Sequence, residues 1–232
     1  SLGRYVDLDL ERLTTLAPTH VLAMTGQAGL PKRVGEMADA GRFALTDLPY
    51  PGTVGEATGL IAEVGAAIGR AEAGAALSAE VRRQLDGIAA LTRGKPRPSA
   101  LIVFTVDPVM ASGPGTINDE LLAIAGGRNA AADANVSAPV YDREALRALD
   151  PDVVFLMRPG EPPLNGVDDP RLRGFRGLRA VEENRVVLLN DPAVLLPGPA
   201  MGTTAVSLAV KLHPELAEPI GALFADGYVD GP

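Results

Sequence analysis

Between residues 72 and 92, Leu77, Val81, Leu85, Ile88 and Leu91 recur at spacings of four and three, with Arg82, Arg83 and Asp86 between them. That period predicts one amphipathic helix. At 1.5 Å per residue it is about 30 Å long, roughly the diameter of a small domain. The breaker cluster Gly94-Lys95-Pro96-Arg97-Pro98 ends it. A rod of that length either joins two units or covers a single sheet.

Short apolar runs rich in strand formers lie on both sides of the rod, at residues 21–24, 43–46, 100–104, 153–157 and 186–189. Each ends in Gly, Pro or polar loop chemistry, and helical patterns fill most gaps, as in parallel βαβ units. The fold class is therefore α/β. With the rod as connector, residues 1–70 form an N-terminal lobe, 71–93 the connecting helix and 94–232 a C-terminal lobe. A ligand would then lie at the carboxyl ends of the strands. Dense Ala and Gly over residues 52–90 imply close helix packing.

Composition removes several function classes. Among 232 residues, 21 basic against 29 acidic side chains leave a net charge of −8, which repels a phosphate backbone. No uninterrupted apolar run exceeds five residues, whereas a membrane-spanning helix needs about 20. There is no cysteine, hence no disulfide, thiolate metal site or cysteine nucleophile. The two histidines, His20 before a strand and His213 at a helix end, both suit structural roles. No Ser, His and Asp grouping supports a triad, and the paired acids Asp168-Asp169 and Glu182-Glu183 read as solvated surface. A targeting segment is not expected in this stretch, which opens at Ser1 with neither a basic region nor an apolar signal core.

Three constellations remain. Ser112-Gly113-Pro114-Gly115-Thr116 follows a strand and opens a helix, so its N–H groups either face an anion or form an ordinary start capped by Thr116. Met24, Met110, Met157 and Met201 end strands or lie in loops that follow them, where thioethers either wall an apolar chelate or fill core. Tyr50 sits in Asp47-Leu48-Pro49-Tyr50-Pro51-Gly52, held by prolines on each side. Its phenol is placed to ligate ferric haem or stack on a planar ligand, or else to cover the sheet end.

Several segments, taken in order, resemble the bacterial periplasmic binding proteins that serve ABC importers of haem, ferric siderophores and cobalamin. Gly3-Arg4-Tyr5-Val6-Asp7-Leu8-Asp9-Leu10-Glu11 through Leu16-Ala17-Pro18-Thr19-His20-Val21 is similar to that family's opening of the first lobe, with His20 in place of the usual Asp. Ser112 to Thr116, followed by Leu121-Leu122-Ala123-Ile124-Ala125-Gly126-Gly127-Arg128-Asn129, is the most specific block and resembles the pattern a-G-x-x-t ending in l-a-G-G-x-N. Leu149-Asp150-Pro151-Asp152-Val153-Val154, Ala180-Val181 to Val186, and Gly198-Pro199 to Leu212-His213-Pro214-Glu215 resemble its later steps.

The resemblance implies two Rossmann-like lobes with parallel sheets on a rigid helix, the N-terminal lobe lacking its usual first elements. It implies extracytoplasmic capture of an iron or cobalt chelate between the lobes by a monomer. Haem comes first, then a ferric siderophore or cobalamin, with delivery to an ABC permease through carboxylates that the sequence does not place. By the same resemblance the ligand-binding residues are Thr25, Gln27, Tyr50, Met110, Ser112, Gly113, Arg158, Leu196 and Pro197. Tyr50 would be the axial ligand to haem iron and Arg158 the partner of a propionate. A degenerate member acting as sensor or scaffold, and an α/β enzyme taking a nucleotide or phosphate at residues 113–116, are the other readings.

Overall fold

The computed structural model describes residues 3–4, 7–25 and 29–224. An antiparallel pair, β1 (Gly3–Arg4) and β2 (Asp7–Leu8), precedes helix α1 (Leu10–Leu16). Strands β3 (His20–Thr25) and β4 (Ala44–Pro49), linked through α2 (Lys32–Asp39), form a separate two-stranded parallel sheet. Leu13, Val34 and Phe43 make a small core beneath it. Phe43, read above as the first residue of a strand, is buried just ahead of β4.

Helix α3 (Val54–Ala67) and helix α4 (Ala71–Thr92) follow as an antiparallel hairpin. Thr53 starts α3: its Oγ1 accepts the Glu56 N–H at 3.1 Å while Glu56 Oε2 accepts the Gly52 N–H at 2.7 Å, a reciprocal cap. The small residues do what their density implied. A Cβ on Gly65 would lie 2.6 Å from Gly74 Cα, so only glycine lets the two helices cross this closely. α4 is the expected rod, and Ser78, Val81, Leu85 and Ile88 form its buried stripe. Leu77, counted on that stripe by spacing, is instead exposed.

The second sheet is built from β5 (Ser99–Val106), β6 (Val109–Ala111), β7 (Arg128–Asn129), β8 (Val140–Tyr141), β9 (Val153–Met157) and β10 (Val186–Leu189). Its order is β10-β9-β5-β6-β8, with β7 beside the start of β5. β5, β9 and β10 are parallel, whereas β6 folds back antiparallel on β5. β9 is buried at every position, as a parallel strand covered on both faces must be.

One face carries α4, α5 (Ile117–Ile124), α8 (Met201–Leu212) and α9 (Ala217–Ala222) over a core that includes Ile88, Ile102, Phe155, Met157, Met201 and Leu208. Ala57 and Ile61 of α3 share that core. The other face carries α6 (Arg143–Leu149), the 3₁₀ turn Pro170–Phe175 and α7 (Arg179–Glu182) over Leu101, Val154, Leu156 and Phe175. Two sheets with parallel strands, linked by a long helix that touches both the α3 side and the α5–α8 side, are thus the architecture.

Candidate functional site

The parallel strands of both sheets end toward loops, the usual address of a ligand in α/β proteins. Tyr50 leaves the end of β4, and its N–H donates to the Thr25 carbonyl at the end of β3, 3.0 Å away. Thr25 Oγ1 in turn donates to Asp47 Oδ1 at 2.6 Å, so Thr25 fixes the Tyr50 loop from behind. Tyr50 as a residue is 52% exposed.

Opposite Tyr50 stand the start of α5, the 195–197 loop and the start of α8. Ile117, Asn118, Leu121, Val194, Leu195, Leu196, Pro197, Met201 and Thr204 enclose with Tyr50 a gap of only about 30 Å³. That space holds no macrocycle. What is open is the shelf above it, where Tyr50, Leu195 and Leu196 stay exposed. Pro197 continues this shelf into a groove of about 450 Å³ between α3 and α4, walled by Leu60, Ile61, Val64, Ile68 and Leu77. The exposed Leu77 therefore belongs to this apolar strip. Contiguous exposed apolar surface of this kind marks a binding face more often than scattered single residues do.

Of the residues singled out from sequence, the structure brings Tyr50, Leu196 and Pro197 together, with Thr25 as support. Gln27 lies outside the described residues. Ser112 is buried, its Oγ 2.7 Å from Thr116 Oγ1 and its carbonyl accepting from Asn129 Nδ2 at 3.1 Å. Gly113 does not face the gap either: its N–H donates to Ser137 O at 2.9 Å, and a Cβ there would sit 2.1 Å from Val136 O. The start of α5 is already occupied by its own groups, because Thr116 Oγ1 caps the Asp119 N–H and Asp119 Oδ2 accepts the Gly115 N–H at 3.0 Å. A carboxylate stands where the anion reading placed a phosphate.

Met110 lies in β6, a strand inside the stretch read as loop, and pairs with Val140. Met157 and Met201 are core residues, Met201 alone also touching the gap. His20 Nε2 lies 2.8 Å from Thr46 Oγ1, and buried His213 lies 3.4 Å from Gly126 O, consistent with structural roles for both.

Arg158 directly follows β9 but does not line the gap with Tyr50. Its Nε donates to Glu161 Oε1 at 2.7 Å, Nη2 pairs with the same carboxylate, and Nη1 donates to Phe104 O at 3.2 Å. The Arg158 guanidinium, with Arg171 behind it, holds the Glu161 carboxyl below its usual range against the opposing effect of burial. The spacing Arg158-x-x-Glu161 was the available signal for this clamp. Sequence reading also missed Glu120, whose Oε2 accepts the Val54 N–H at 2.8 Å and ties α5 to the start of α3. Sixty-six positions separate them, and no local pattern pairs them.

Among the described residues no group of three or more His, Asp or Glu side chains is placed to hold a bare metal ion, and no helix is long and apolar enough to cross a membrane. The arrangement offers an exposed aromatic residue beside an apolar strip.

A family model described as periplasmic binding protein matches residues 1–193. The chain belongs to the periplasmic binding protein family. Solved members share its architecture. The periplasmic haem-binding protein RhuT of Roseiflexus sp. RS-1, in its apo form, is 27% identical over 90% of this chain and 80% of its own, with a TM-score of 0.75. A periplasmic haem-binding protein of Pseudomonas aeruginosa is 25% identical over 92% and 78%, with a TM-score of 0.73. The vitamin B12 binding protein BtuF of Vibrio cholerae, at 20% identity over 91% and 80% and a TM-score of 0.69, shares the fold. No curated protein matches the sequence. The family fits the two sheets with parallel strands and the long connecting helix.

Proposed function

We propose that this chain is an extracytoplasmic carrier that captures a flat metal chelate on the Tyr50 shelf and passes it to an ABC permease. It acts as a monomer and without chemical turnover. Haem is the first candidate, with a ferric siderophore or cobalamin next. In this reading residues 1–70 and 94–232 are the two lobes and 71–93 the rod.

The observation that carries the reading is the meeting of exposed Tyr50 with Leu196 and Pro197 from the opposite side of one gap. A phenolate is a known ligand for ferric haem, and the ring and leucines supply apolar contact for a macrocycle. Haem-binding neighbours at 25% and 27% identity support haem ahead of the alternatives. Arg158 keeps N–H donors beyond its clamp to Glu161 and Phe104, so a propionate reaching it would be met by a positioned guanidinium.

Ferric haem, aquacobalamin and a ferric hydroxamate siderophore are titrated separately into the purified chain at about 10 μM, where a micromolar affinity is visible. A shifted Soret band with saturation near one equivalent is expected for haem. A spectrum identical to free haem throughout the titration would overturn the haem reading, and saturable binding of one of the other two would reassign the cargo.

A further inference from the structure

Strand β10 has one paired side and one open side. Val154 N–H donates to Arg185 O at 3.1 Å and Arg158 N–H donates to Leu189 O at 3.0 Å, so residues 185, 187 and 189 face β9. By the two-residue repeat of a strand, the N–H and C=O groups of Val186 and Leu188 point the other way. β10 is the last strand of its sheet, and among the described residues no group takes those donors and acceptors.

They open into a groove of about 630 Å³ that wraps the sheet edge, with Pro163 and Leu164 on one flank and Lys211 and Pro214 on the other. The edge is continuous apolar sequence, Val-Val-Leu-Leu, with no charge pointing inward to block pairing. At the other edge of the sheet, β8 has only two residues, too short to template a partner.

The charged side chains that line the groove are opposite in sign to the molecule as a whole. Arg185 and Lys211 line it, and no carboxylate does, although the chain carries a net charge of −8. Lys211 is exposed and makes no described ion pair. Arg185 adds to the positive field and also helps lower the Asp152 carboxyl. Two copies meeting edge to edge would bring both basic rims together, which disfavours self-pairing.

We propose that the open edge of β10 is a docking site for an extended acidic segment of a partner protein, added as a further strand of the sheet. Main-chain hydrogen bonds to Val186 and Leu188 would supply affinity, and Lys211 and Arg185 would select for acidic side chains. This surface is separate from the Tyr50 shelf, so both can be occupied at once.

The test uses the whole chain, ¹⁵N-labelled, and an end-blocked octapeptide of alternating glutamate and valine. Shifts and slowed exchange are expected at the Val186 and Leu188 amides, saturating below about 1 mM. Leu188→Pro removes an outward donor while sparing the β9 ladder, and should weaken binding about tenfold. Lys211→Glu, on an exposed side chain that tolerates the change, should weaken it several-fold and serves by itself if the proline variant does not fold. A lysine-valine peptide should not bind. No shift at these amides up to about 1 mM, equal binding of the lysine peptide, or protection that grows with protein concentration and without peptide would each overturn the proposal.

Discussion

Glu120 Oε2, in the first turn of α5, accepts the N–H of Val54, the first residue of α3, at 2.8 Å. This bond satisfies one of the orphan donors at the start of a 14-residue helix and puts a carboxylate at its positive end. It also pins the turn that carries Tyr50 to the helix on the far side of the gap. Glu120→Ala should lower the unfolding free energy by about 1–2 kcal/mol, and Glu120→Gln, whose amide oxygen still accepts, by less. Urea denaturation of the two variants beside wild type checks the order.

Gly113 and Gly59 make a matched pair of tests. A Cβ at 113 meets Val136 O at 2.1 Å, so Gly113→Ala forces the 136–139 segment outward and should cost about 1–3 kcal/mol. Gly59 lies inside α3 with open space around it, and Gly59→Ala should gain up to about 1 kcal/mol from helix propensity. Denaturation midpoints should move in opposite directions.

Acid should loosen the segment after β9 before it unfolds the core. Arg171 donates to both oxygens of Asp169, at 2.9 and 2.6 Å, to Glu161 Oε2 at 3.2 Å, and to the carbonyls of Pro162 and Pro163. The guanidinium and the Asn165 N–H hold the Asp169 carboxyl far below its usual range, and Glu161 is lowered as well. Because these folded-state values are depressed, the stabilisation is complete above the unfolded carboxylate range of about 4 and is lost as pH falls below it. Thermal melts of wild type and Arg171→Met should differ most near neutrality and converge as pH falls below about 4.

Leu196 tests the shelf without touching the phenol. At 58% exposure it contributes little to the core, so Leu196→Asp should leave the melting temperature nearly unchanged. Replacing apolar contact with a charge should cut chelate affinity about tenfold or more, or about 1.4 kcal/mol. Equal affinity in both proteins would remove the 195–197 loop from the site.

The parts legible in sequence are those governed by local periodicity. β9 and β10 were readable to the residue because each is an unbroken apolar run between polar residues, β9 being buried at every position. α4 was readable from its three-and-four spacing, although period alone placed Leu77 in the core when it lies on the open strip. Tyr50 stood out through its flanking prolines, and Leu196 and Pro197 came from the resemblance. What was hidden depends on tertiary approach. β6 is three residues long and pairs with strands on either side, so it read as loop. Ser112 and Gly113 looked like a ligand loop, whereas they are consumed by Thr116, Asn129 and the 136–139 segment. The Val54–Glu120 bond spans elements that no window of sequence contains.

The most direct measurement of the central claim is a ferric haem titration of wild type beside Tyr50→Phe, followed by the Soret and charge-transfer bands. Phenylalanine keeps the ring against Leu196 and Pro197 and removes only the phenol oxygen. The account predicts a phenolate-ligated spectrum in wild type that disappears in the variant, with weaker binding that still saturates. Indistinguishable spectra and affinities for the two proteins would contradict it.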